Sequence, residues 1–410
     1  MSEGRRVHFC TLDVGCGMSP RGDVNVDFLG EGFNPHTGSQ TKGVYMCPRK
    51  IPNFVVADAA HLPFRDGSFS VVFSSHTIEH VSNPLLMLGE MLRVSRKKVV
   101  VRCPHKLGSG AKLPHHVNFL DEEWFNNAAI HLGVRSSQFV TAFDHRVGFK
   151  IIQALPIALQ RNLPWKALKR FERIDPNART RTPFEIEAWM KKNPLKTGSS
   201  AVRFVVGGDG KSVSNQRFHS GSYASSSDVA VIENTQESSL LSFFNGFVRE
   251  HLNEDVWFVF CRSDFLLLED LHLRLHGKEV DAVYGPIGAH WGRPELLGRV
   301  GVGDGSFVGE RLAKDALVQT LDDACLIVHS EVFRQGLSFD ERFGRYLYAA
   351  DFCMQAAQLG VDVLAMQTSC QLGQSLQKDT SSQRYLQSLN LFKNKWKRFL
   401  PVKTTTTAVL

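Results

Sequence analysis

The residues with the clearest potential for chemistry lie close to the N-terminus, where a polar residue and two glycines follow a short apolar run. They stand in the run Leu12-Asp13-Val14-Gly15-Cys16-Gly17, and a second apolar run ends at Asp27. In a doubly wound α/β sheet, a glycine turn after the first strand lets a ligand approach the backbone. An acidic residue that ends the second strand accepts hydrogen bonds from ribose hydroxyls. The spacing therefore predicts a nucleoside pocket.

The elements that would position these residues follow along the chain as alternating apolar and helical segments. A third predicted strand, residues 53–57, ends in Asp58 and Ala59, and a fourth, residues 68–76, runs into Thr77-Ile78-Glu79-His80-Val81. An amphipathic helix over residues 85–92 then leads to an apolar strand at residues 98–101. Strands that alternate with helices predict a parallel sheet with crossover connections.

This order of motifs resembles the class I S-adenosylmethionine-dependent methyltransferases over roughly residues 6–150. The resemblance implies that Gly15 and Gly17 face the methionine part of the cofactor and that Asp13 lies near its amino group. It also implies that Asp27 holds the ribose hydroxyls, while Asp58 and Ala59 bracket the adenine. Two features depart from the family pattern: Ser19-Pro20 replaces the usual third glycine, and residues 30–50 form an insertion.

The methyl acceptor side offers several candidate bases, since a His or carboxylate near the sulfonium can take a proton from the attacking hydroxyl. His116 is the first choice for this catalytic role, and for each candidate a structural role is the competing interpretation. A metal site built from His105, His115 and His116 with Asp121 and Glu122 is not predicted, because the spacing matches no standard ligand pattern. The candidates at strand ends or in the covering loop are His76, Glu79, His80, His105 and His116.

Length and cysteine usage set the broad class of the protein. A chain of 410 residues is long enough for two or three domains with separate cores. No stretch approaches the ~20 apolar residues of a membrane span, and the first residues carry no apolar signal region. The eight cysteines form no C-x-x-C pair. This pattern favours a reducing compartment, and we expect a cytoplasmic protein.

The chain carries a formal net charge of +7, and its basic excess lies in the first half, above all in a connector over residues 156–199. A basic region attracts nucleic acid, an anionic membrane surface or a phosphorylated substrate, and a solvated linker is the plainer alternative. The fourth strand ends in Ser74-Ser75-His76 rather than in the Asn/Asp-Pro-Pro-aromatic motif of base-amine methylation. No nucleic-acid partner is therefore expected.

A second α/β pattern begins at residue 200, with strands predicted over residues 201–206, 228–232, 256–260 and 282–284 and a helix over residues 238–251. The third of these strands ends in Cys261-Arg262-Ser263-Asp264. An isolated carboxylate after a buried strand is costly, unless it binds a divalent cation that carries a diphosphate.

Together with the later segment Phe339-Asp340-Glu341-Arg342-Phe343 and with Asp351 at the head of a helix, this pattern resembles the GT-A glycosyltransferases of the family-2-like group over roughly residues 200–372. The resemblance implies that Asp264 binds Mn²⁺ or Mg²⁺ and that Asp351 is the general base of an inverting transfer. Asp322, or equally Asp323, would also line the acceptor site. The residues assigned to the donor are Glu233, Asn234, Arg262 and Asp322.

One residue departs from the glycosyltransferase pattern, because Arg262 stands where the Asp-x-Asp motif has its first Asp. A guanidinium could supply positive charge to the diphosphate directly, in place of part of the metal. The competing interpretation is a domain without transferase activity.

Near the C-terminus, residues 385–400 form a basic amphipathic pattern. Such a helix can lie on an anionic membrane, or it can pack its apolar face on the core with its cations at the negative end of the helix dipole. The last residues, 404–410, are predicted to be a frayed tail.

These observations predict an α/β protein of two domains, a Rossmann-like class I methyltransferase sheet followed by a GT-A domain. The expected bounds are residues 1–155, a connector over 156–199, residues 200–375, and a helix and tail over 376–410. The predicted function is a bifunctional enzyme that uses a nucleotide-sugar donor and O-methylates a glycan or lipid-linked saccharide acceptor, with peripheral contact at the inner face of the membrane. A methyltransferase with a non-catalytic nucleotide- or glycan-binding module is the main alternative, and a nucleic-acid-modifying enzyme is the other.

Overall fold

The chain folds into two compact units that meet in sequence between Asn193 and Pro194. The structure is a computed structural model, and each unit has its own sheets and its own hydrophobic core. It describes residues 11–28, 47–108, 110–113, 115–134, 136–144, 182–191, 197–199, 201–207, 229–232, 240–290, 293–373, 380–406 and 408–409.

The first unit is built on a seven-stranded sheet in the order β3-β2-β1-β4-β5-β7-β6. Strands β1 to β5 run parallel, whereas β7 is antiparallel to both β5 and β6. The elements are β1 (Thr11–Val14), β2 (Val24–Asp27), β3 (Phe54–Val56), β4 (Phe69–Ser75), α1 (Pro84–Val94), β5 (Ser95–Pro104), α2 (Glu122–His131), β6 (Ser136–Asp144) and β7 (Thr182–Lys191), with 3-10 turns at Pro48–Lys50 and Gly110–Lys112.

Helix α1 shows how local sequence fixes these elements. Asn83 caps it by accepting a hydrogen bond from the Leu86 backbone N–H at 3.0 Å, and Pro84 follows at the first turn, where a proline costs nothing. Its buried face, which includes Met87 and Met91, packs with the sheet residues of the first core.

Strand β7 lies inside the region that the sequence predicts to be a basic connector. Its apolar residues Ile186, Ala188 and Met190 stand at every second position and are fully buried. Because this two-residue period places the three side chains on one face, residues 182–191 form a strand of the first sheet rather than a linker. The remainder of the predicted connector, apart from residues 197–199, lies outside the described residues.

The second unit contains a mixed seven-stranded sheet in the order β17-β20-β12-β19-β10-β8-β9, with smaller sheets beside it. Strand β19 runs antiparallel between β10 and β12, which pair with parallel neighbours on their other sides. The elements are β8 (Val202–Gly207), β9 (Val229–Ile232), α3 (Leu240–Glu250), β10 (Trp257–Arg262), β11 (Phe265–Leu267), α4 (Leu271–Leu275), β12 (Ala282–Gly285), β13 (Ile287–Ala289), β14 (Leu297–Gly298), β15 (Val300–Val302), β16 (Phe307–Val308), β17 (Ala316–Leu317), β18 (Thr320–Leu321), β19 (Cys325–His329), α5 (Ser330–Arg334), α6 (Tyr348–Gln358), β20 (Asp362–Ala365), β21 (Cys370–Leu372), α7 (Gln383–Trp396), β22 (Val402–Lys403) and β23 (Ala408–Val409), with 3-10 turns at Glu341–Phe343 and Lys397–Phe399.

The C-terminal segment belongs to the core of this second unit. Helix α7 buries Tyr385, Phe392 and Trp396 against the other core residues, as the packing interpretation of its apolar face predicts. The prediction of a frayed tail is wrong, since β22 and β23 pair as an antiparallel ladder and the Thr405 hydroxyl donates to Asp322. Within the described part of the chain, no helix is both long and apolar enough to cross a membrane.

Candidate functional site

A cavity of about 890 Å³ opens in the first unit beside the glycine turn that follows β1. Strand β1 lies between β2 and β4, so the order of the sheet reverses there, and open α/β sheets bind ligands at the carboxyl ends of strands at this point. The wall of the cavity comes from the segment Asp13 to Ser19, from the ends of β2, β3 and β4, and from the loop that carries His115.

The glycine turn is shaped by two residues with left-handed backbones, Gly15 at φ +75° and Gly17 at φ +51°. The backbone N–H groups of Gly15 and Cys16 both donate to the carbonyl of Val26, at 2.8 and 3.0 Å. A Cβ at Gly15 would lie only 2.0 Å from the Thr77 hydroxyl oxygen. The turn is therefore held against β2 and β4 with no room for a side chain.

Two carboxylates stand beside this turn. An oxygen of Asp27 accepts a hydrogen bond from the Gly17 N–H at 2.9 Å, and an oxygen of Asp13 accepts one from the Arg21 N–H at 2.9 Å. Burial raises the pKa of Asp13 to about 7, outweighing that hydrogen bond and the charge of Arg21. A cationic amino group brought next to Asp13 would restore its charged form.

The far side of the cavity carries Asp58 and Ala59, after β3. One oxygen of Asp58 accepts a hydrogen bond from the Ala60 N–H at 2.9 Å and its side chain is half-exposed, whereas Ala59 is buried. Phe28 also lines the cavity and is 70% exposed. Its ring offers a flat apolar face to a ligand, and its place directly after Asp27 is the only sequence signal that could have indicated it.

Another part of the cavity lining is polar and includes His76, Thr77, His80 and His115. His76 has a left-handed backbone at φ +54°, and its ring nitrogens lie 3.4 Å from Glu79 and 3.6 Å from Glu185. Burial disfavours the imidazolium, but these two carboxylates outweigh it and raise the pKa of His76 to about 9. His76 is therefore a cation at neutral pH. Glu185 reaches it from β7, so this partner was invisible to the local motif analysis.

Comparison with known proteins identifies the N-terminal half. The family model described as "Methyltransferase domain" matches residues 34–103. Over 95 residues the chain is 37% identical to a demethylmenaquinone methyltransferase of Beutenbergia cavernae, covering 23% of this chain and 37% of that protein. Over 99 residues it is 30% identical to a norajmaline N-methyltransferase of Rauvolfia serpentina, covering 20% and 31%. The N-terminal half holds a class I S-adenosylmethionine-dependent methyltransferase domain.

The matched stretch spans about a third of the length of these curated relatives. Among solved structures, the YcgJ protein of Bacillus subtilis is similar to the methyltransferase domain at 16% identity and a TM-score of 0.31, covering 46% of this chain and 94% of that one. The methyl donor of the methyltransferase domain is S-adenosylmethionine.

Two of the histidines predicted as candidate bases lie away from the wall of the cavity. His116 is buried and packs edge-on against His80 and His115, with ring centroids 4.7 and 4.8 Å apart. His105 is buried, its Nε2 lies 3.0 Å from a Glu122 oxygen and its Nδ1 accepts from the Leu107 N–H. His116 therefore contacts two residues that line the cavity but does not line it itself. His105 is held by hydrogen bonds to Glu122 and Leu107.

In the second unit, Asp264 and Arg262 bind each other. The guanidinium donates to both carboxylate oxygens, from Nε at 2.9 Å and from Nη2 at 2.7 Å. A bidentate pair of this kind is geometrically specific. The residue predicted to hold a divalent cation thus already has a cation from its own chain.

Asp351 and Asp322 are both buried and both hydrogen-bonded. Asp351 accepts from Gln355 at 2.7 Å and from the Trp396 indole at 2.8 Å, and it pairs with Lys395 at 2.8 Å. Asp322 accepts from the Ala324 N–H at 2.9 Å and from the Thr405 hydroxyl.

The donor residues Glu233 and Asn234 lie outside the described residues. The segment that follows β19 and α5, which carries the glycosyltransferase resemblance, packs through Phe339 and Phe343 in the core, while Asp340 pairs with Arg342 and Lys395.

Proposed function

We propose that the protein transfers the methyl group of S-adenosylmethionine to a hydroxyl of a glycan or glycolipid. The observation that carries the methyl-transfer part is the cavity at the reversal point of the sheet, walled by the Gly15–Gly17 turn on one side and by polar groups on the other. Asp13 and Asp27 are the carboxylates that would bind the amino group and the ribose of the cofactor.

Methyl transfer forms a bond between the acceptor oxygen and the methyl carbon while the bond from that carbon to sulfur breaks. The acceptor must also lose a proton. His76 carries a proton at neutral pH, so it cannot accept one. Its two ring nitrogens face Glu79 and Glu185, and its positive charge would attract an oxygen of the acceptor. Deprotonation falls to another group of the same wall, which includes His80 and His115, with His116 behind them.

The assignment of a glycan acceptor depends on the second unit. Its strand β10 is central in a mixed sheet and ends at Arg262, directly before Ser263 and Asp264. A GT-A domain carries its Asp-x-Asp motif after such a strand, and this supports a nucleotide-sugar site. Sugar transfer is the second candidate function. The alternative is a module that binds a nucleotide or glycan without turnover, and it is favoured by the Arg262–Asp264 pair and by the three partners of Asp351.

The first test is thermal stabilisation of the purified chain by S-adenosylhomocysteine and by a panel of nucleoside diphosphates, with and without Mn²⁺. A ligand that binds only the folded state raises the melting temperature. We expect S-adenosylhomocysteine to stabilise the wild type and the control variant Asp66→Asn, whose carboxylate lies outside the cavity. The affinity of Asp27→Asn for S-adenosylhomocysteine should be at least tenfold lower. Equal affinity in the two variants would contradict the assignment of Asp27.

The second test is formation of S-adenosylhomocysteine when soluble saccharides are added with S-adenosylmethionine. Product formation with saccharide hydroxyls supports the glycan acceptor. Turnover confined to acceptors without sugar hydroxyls would refute it, and a response to no nucleoside diphosphate would remove the second unit from the proposal.

A further inference from the structure

We propose that His80, His115 and His116 form a binding site for a divalent transition-metal ion of the zinc class. One nitrogen of each ring lies within 4.8 Å of one nitrogen of the other two, and the ring centroids are 4.7 to 5.1 Å apart. Three imidazoles are a familiar ligand set for Zn²⁺ that leaves one position open. The binding site stands independently, whereas its role in methyl transfer rests on the proposed function.

A zinc ion lies about 2 Å from each imidazole nitrogen, so the three rings must draw together to hold one. The arrangement allows this movement, because the His115 side chain is exposed and that of His80 is 32% exposed. His116, which is 9% exposed, is the fixed member on which the others would close.

The second observation is a buried, unsatisfied nitrogen on one of the three rings. The Nδ1 atom of His116 is buried and has no hydrogen-bond partner among the described residues, although its ring is hydrogen-bonded to the backbone of Gly110. A buried lone pair without a donor is costly, and a metal ion would satisfy it.

The tautomer of His80 also suits metal binding. Its Nδ1 lies 3.1 Å from the His115 backbone carbonyl, which can only accept, so Nδ1 carries the hydrogen and Nε2 keeps its lone pair. Histidine ligands commonly donate their second nitrogen to a carbonyl in this way.

A buried carboxylate completes the electrostatics of the site. Glu79 is 1% exposed, and one of its oxygens lies 4.0 Å from His80 Nε2. Neither oxygen receives a hydrogen bond from the part of the chain that the structure describes. Glu79 also lies 3.4 Å from His76 Nδ1, and the negative charge that it shares with that cation would partly offset a dication held by three imidazole ligands. Imidazole ligands select Zn²⁺, Co²⁺, Ni²⁺ or Cu²⁺ over Mg²⁺ and Mn²⁺, which prefer oxygen.

The site borders the place where the acceptor would bind, since His80 and His115 are part of the cavity wall. A metal ion there would coordinate the acceptor hydroxyl and lower its pKa, so that the hydroxyl would release its proton to water. With the ion bound, the three histidines would act as ligands and not as the base. The spacing in sequence does not indicate the site, because His115 and His116 contact a residue, His80, that lies 35 positions before His115.

The test uses tag-free, full-length protein stripped with EDTA and titrated with Zn²⁺, and with Co²⁺ as a spectroscopic probe. We expect one equivalent of Zn²⁺ to bind and to raise the melting temperature, and Mg²⁺ to have no effect on it. His115→Ala and His80→Ala should bind Zn²⁺ at least tenfold more weakly, with unchanged melting temperatures in EDTA. His131→Ala, an exposed histidine at the end of α2, is the matched control and should bind as the wild type does.

No uptake of Zn²⁺ by the stripped wild type would overturn the proposal, as would equal affinity in His115→Ala, His80→Ala and the control. S-adenosylhomocysteine binding separates this result from the fate of the proposed function. If the cofactor product binds and Zn²⁺ does not, the metal site is refuted and the methyltransferase stands. If Zn²⁺ binds and the product does not, the metal site stands and its role in methyl transfer is refuted.

Discussion

Gly15 is the residue whose substitution should most directly remove cofactor binding. A methyl group there would meet the Thr77 hydroxyl at 2.0 Å, in a backbone at φ +75°, so either the turn or Thr77 must shift. We expect Gly15→Ala to weaken S-adenosylhomocysteine binding at least tenfold by calorimetric titration. Gly133→Ala is the matched control, because Gly133 also has a positive φ of +66° but nothing within 4 Å of its Cβ position. It should cost about 1–2 kcal/mol of stability and leave the affinity unchanged; equal affinities in the two variants would contradict the prediction.

The positive charge of His76 makes the stability of the protein depend on pH. Its pKa in the folded protein, about 9, lies above the ordinary value of 6.5. Its contribution to stability is therefore complete below about pH 6.5 and disappears as the pH rises through 9. Half of its side chain is exposed, so solvent screening keeps this contribution below ~1 kcal/mol.

We expect Glu185→Gln to lower the pKa of His76, measured by NMR titration of its imidazole protons. Glu123→Gln, on the exposed side of α2, serves as the control and should leave the titration where it is. An unchanged titration midpoint of His76 in Glu185→Gln would show that Glu185 does not raise the pKa of His76.

Individual residues were predictable where the motif is local. Gly15, Gly17 and Asp27 lie within a short stretch of sequence, and β1 and β2 bring them to one cavity. Glu185 and the cluster of His80 with His116 were not predictable, because their proximity depends on pairing between distant segments that no local spacing encodes.

At the scale of elements, β7 decides where the methyltransferase domain ends. It pairs with β5 on one side and β6 on the other, so removing it would separate β6 from the sheet and take the buried side chain of Ile186 out of the core. We expect a fragment of residues 1–193 to unfold cooperatively in urea and to bind S-adenosylhomocysteine. A fragment of residues 1–155, which ends at the boundary predicted from sequence, should do neither, and wild-type affinity in it would contradict this role of β7.

The hairpin formed by β22 and β23 should stabilise the second unit through Thr405. Its hydroxyl donates to Asp322, which is 1% exposed. Thr405→Val would leave a buried carboxylate oxygen with one donor fewer, at a cost of about 1–3 kcal/mol. Urea denaturation measures this loss, with Thr406→Val as the neighbouring control; a frayed tail would show no difference between the two variants.

The periodic spacing of apolar residues predicts the helices and parallel strands, but it does not predict the β22–β23 hairpin or β7. Taken alone, the threonine-rich C-terminal end and the recurring charges of residues 182–191 predict solvent-exposed segments. Only the groups that they meet in the fold, Asp322 in one case and strands β5 and β6 in the other, give these segments their structure.

At the scale of the whole molecule, the two units have separate cores, so calorimetry should resolve two unfolding transitions. S-adenosylhomocysteine at a hundred times its Kd should stabilise only the methyltransferase transition, by about 2.7 kcal/mol. A shift of both transitions together would mean that the units unfold as one.

The same calorimetric experiment tests whether the second unit needs a divalent cation to bind a nucleoside diphosphate. Arg262 already donates to both oxygens of Asp264, so a nucleoside diphosphate that binds there should stabilise the second transition equally with and without Mn²⁺. Arg262→Ser removes the internal cation and leaves the carboxylate available to a metal ion. In this variant we expect the nucleotide to stabilise the unit only when Mn²⁺ is present. If Mn²⁺ strengthens nucleotide binding to the wild type as well, the guanidinium does not replace the metal, and Asp264 binds a divalent cation despite its partner.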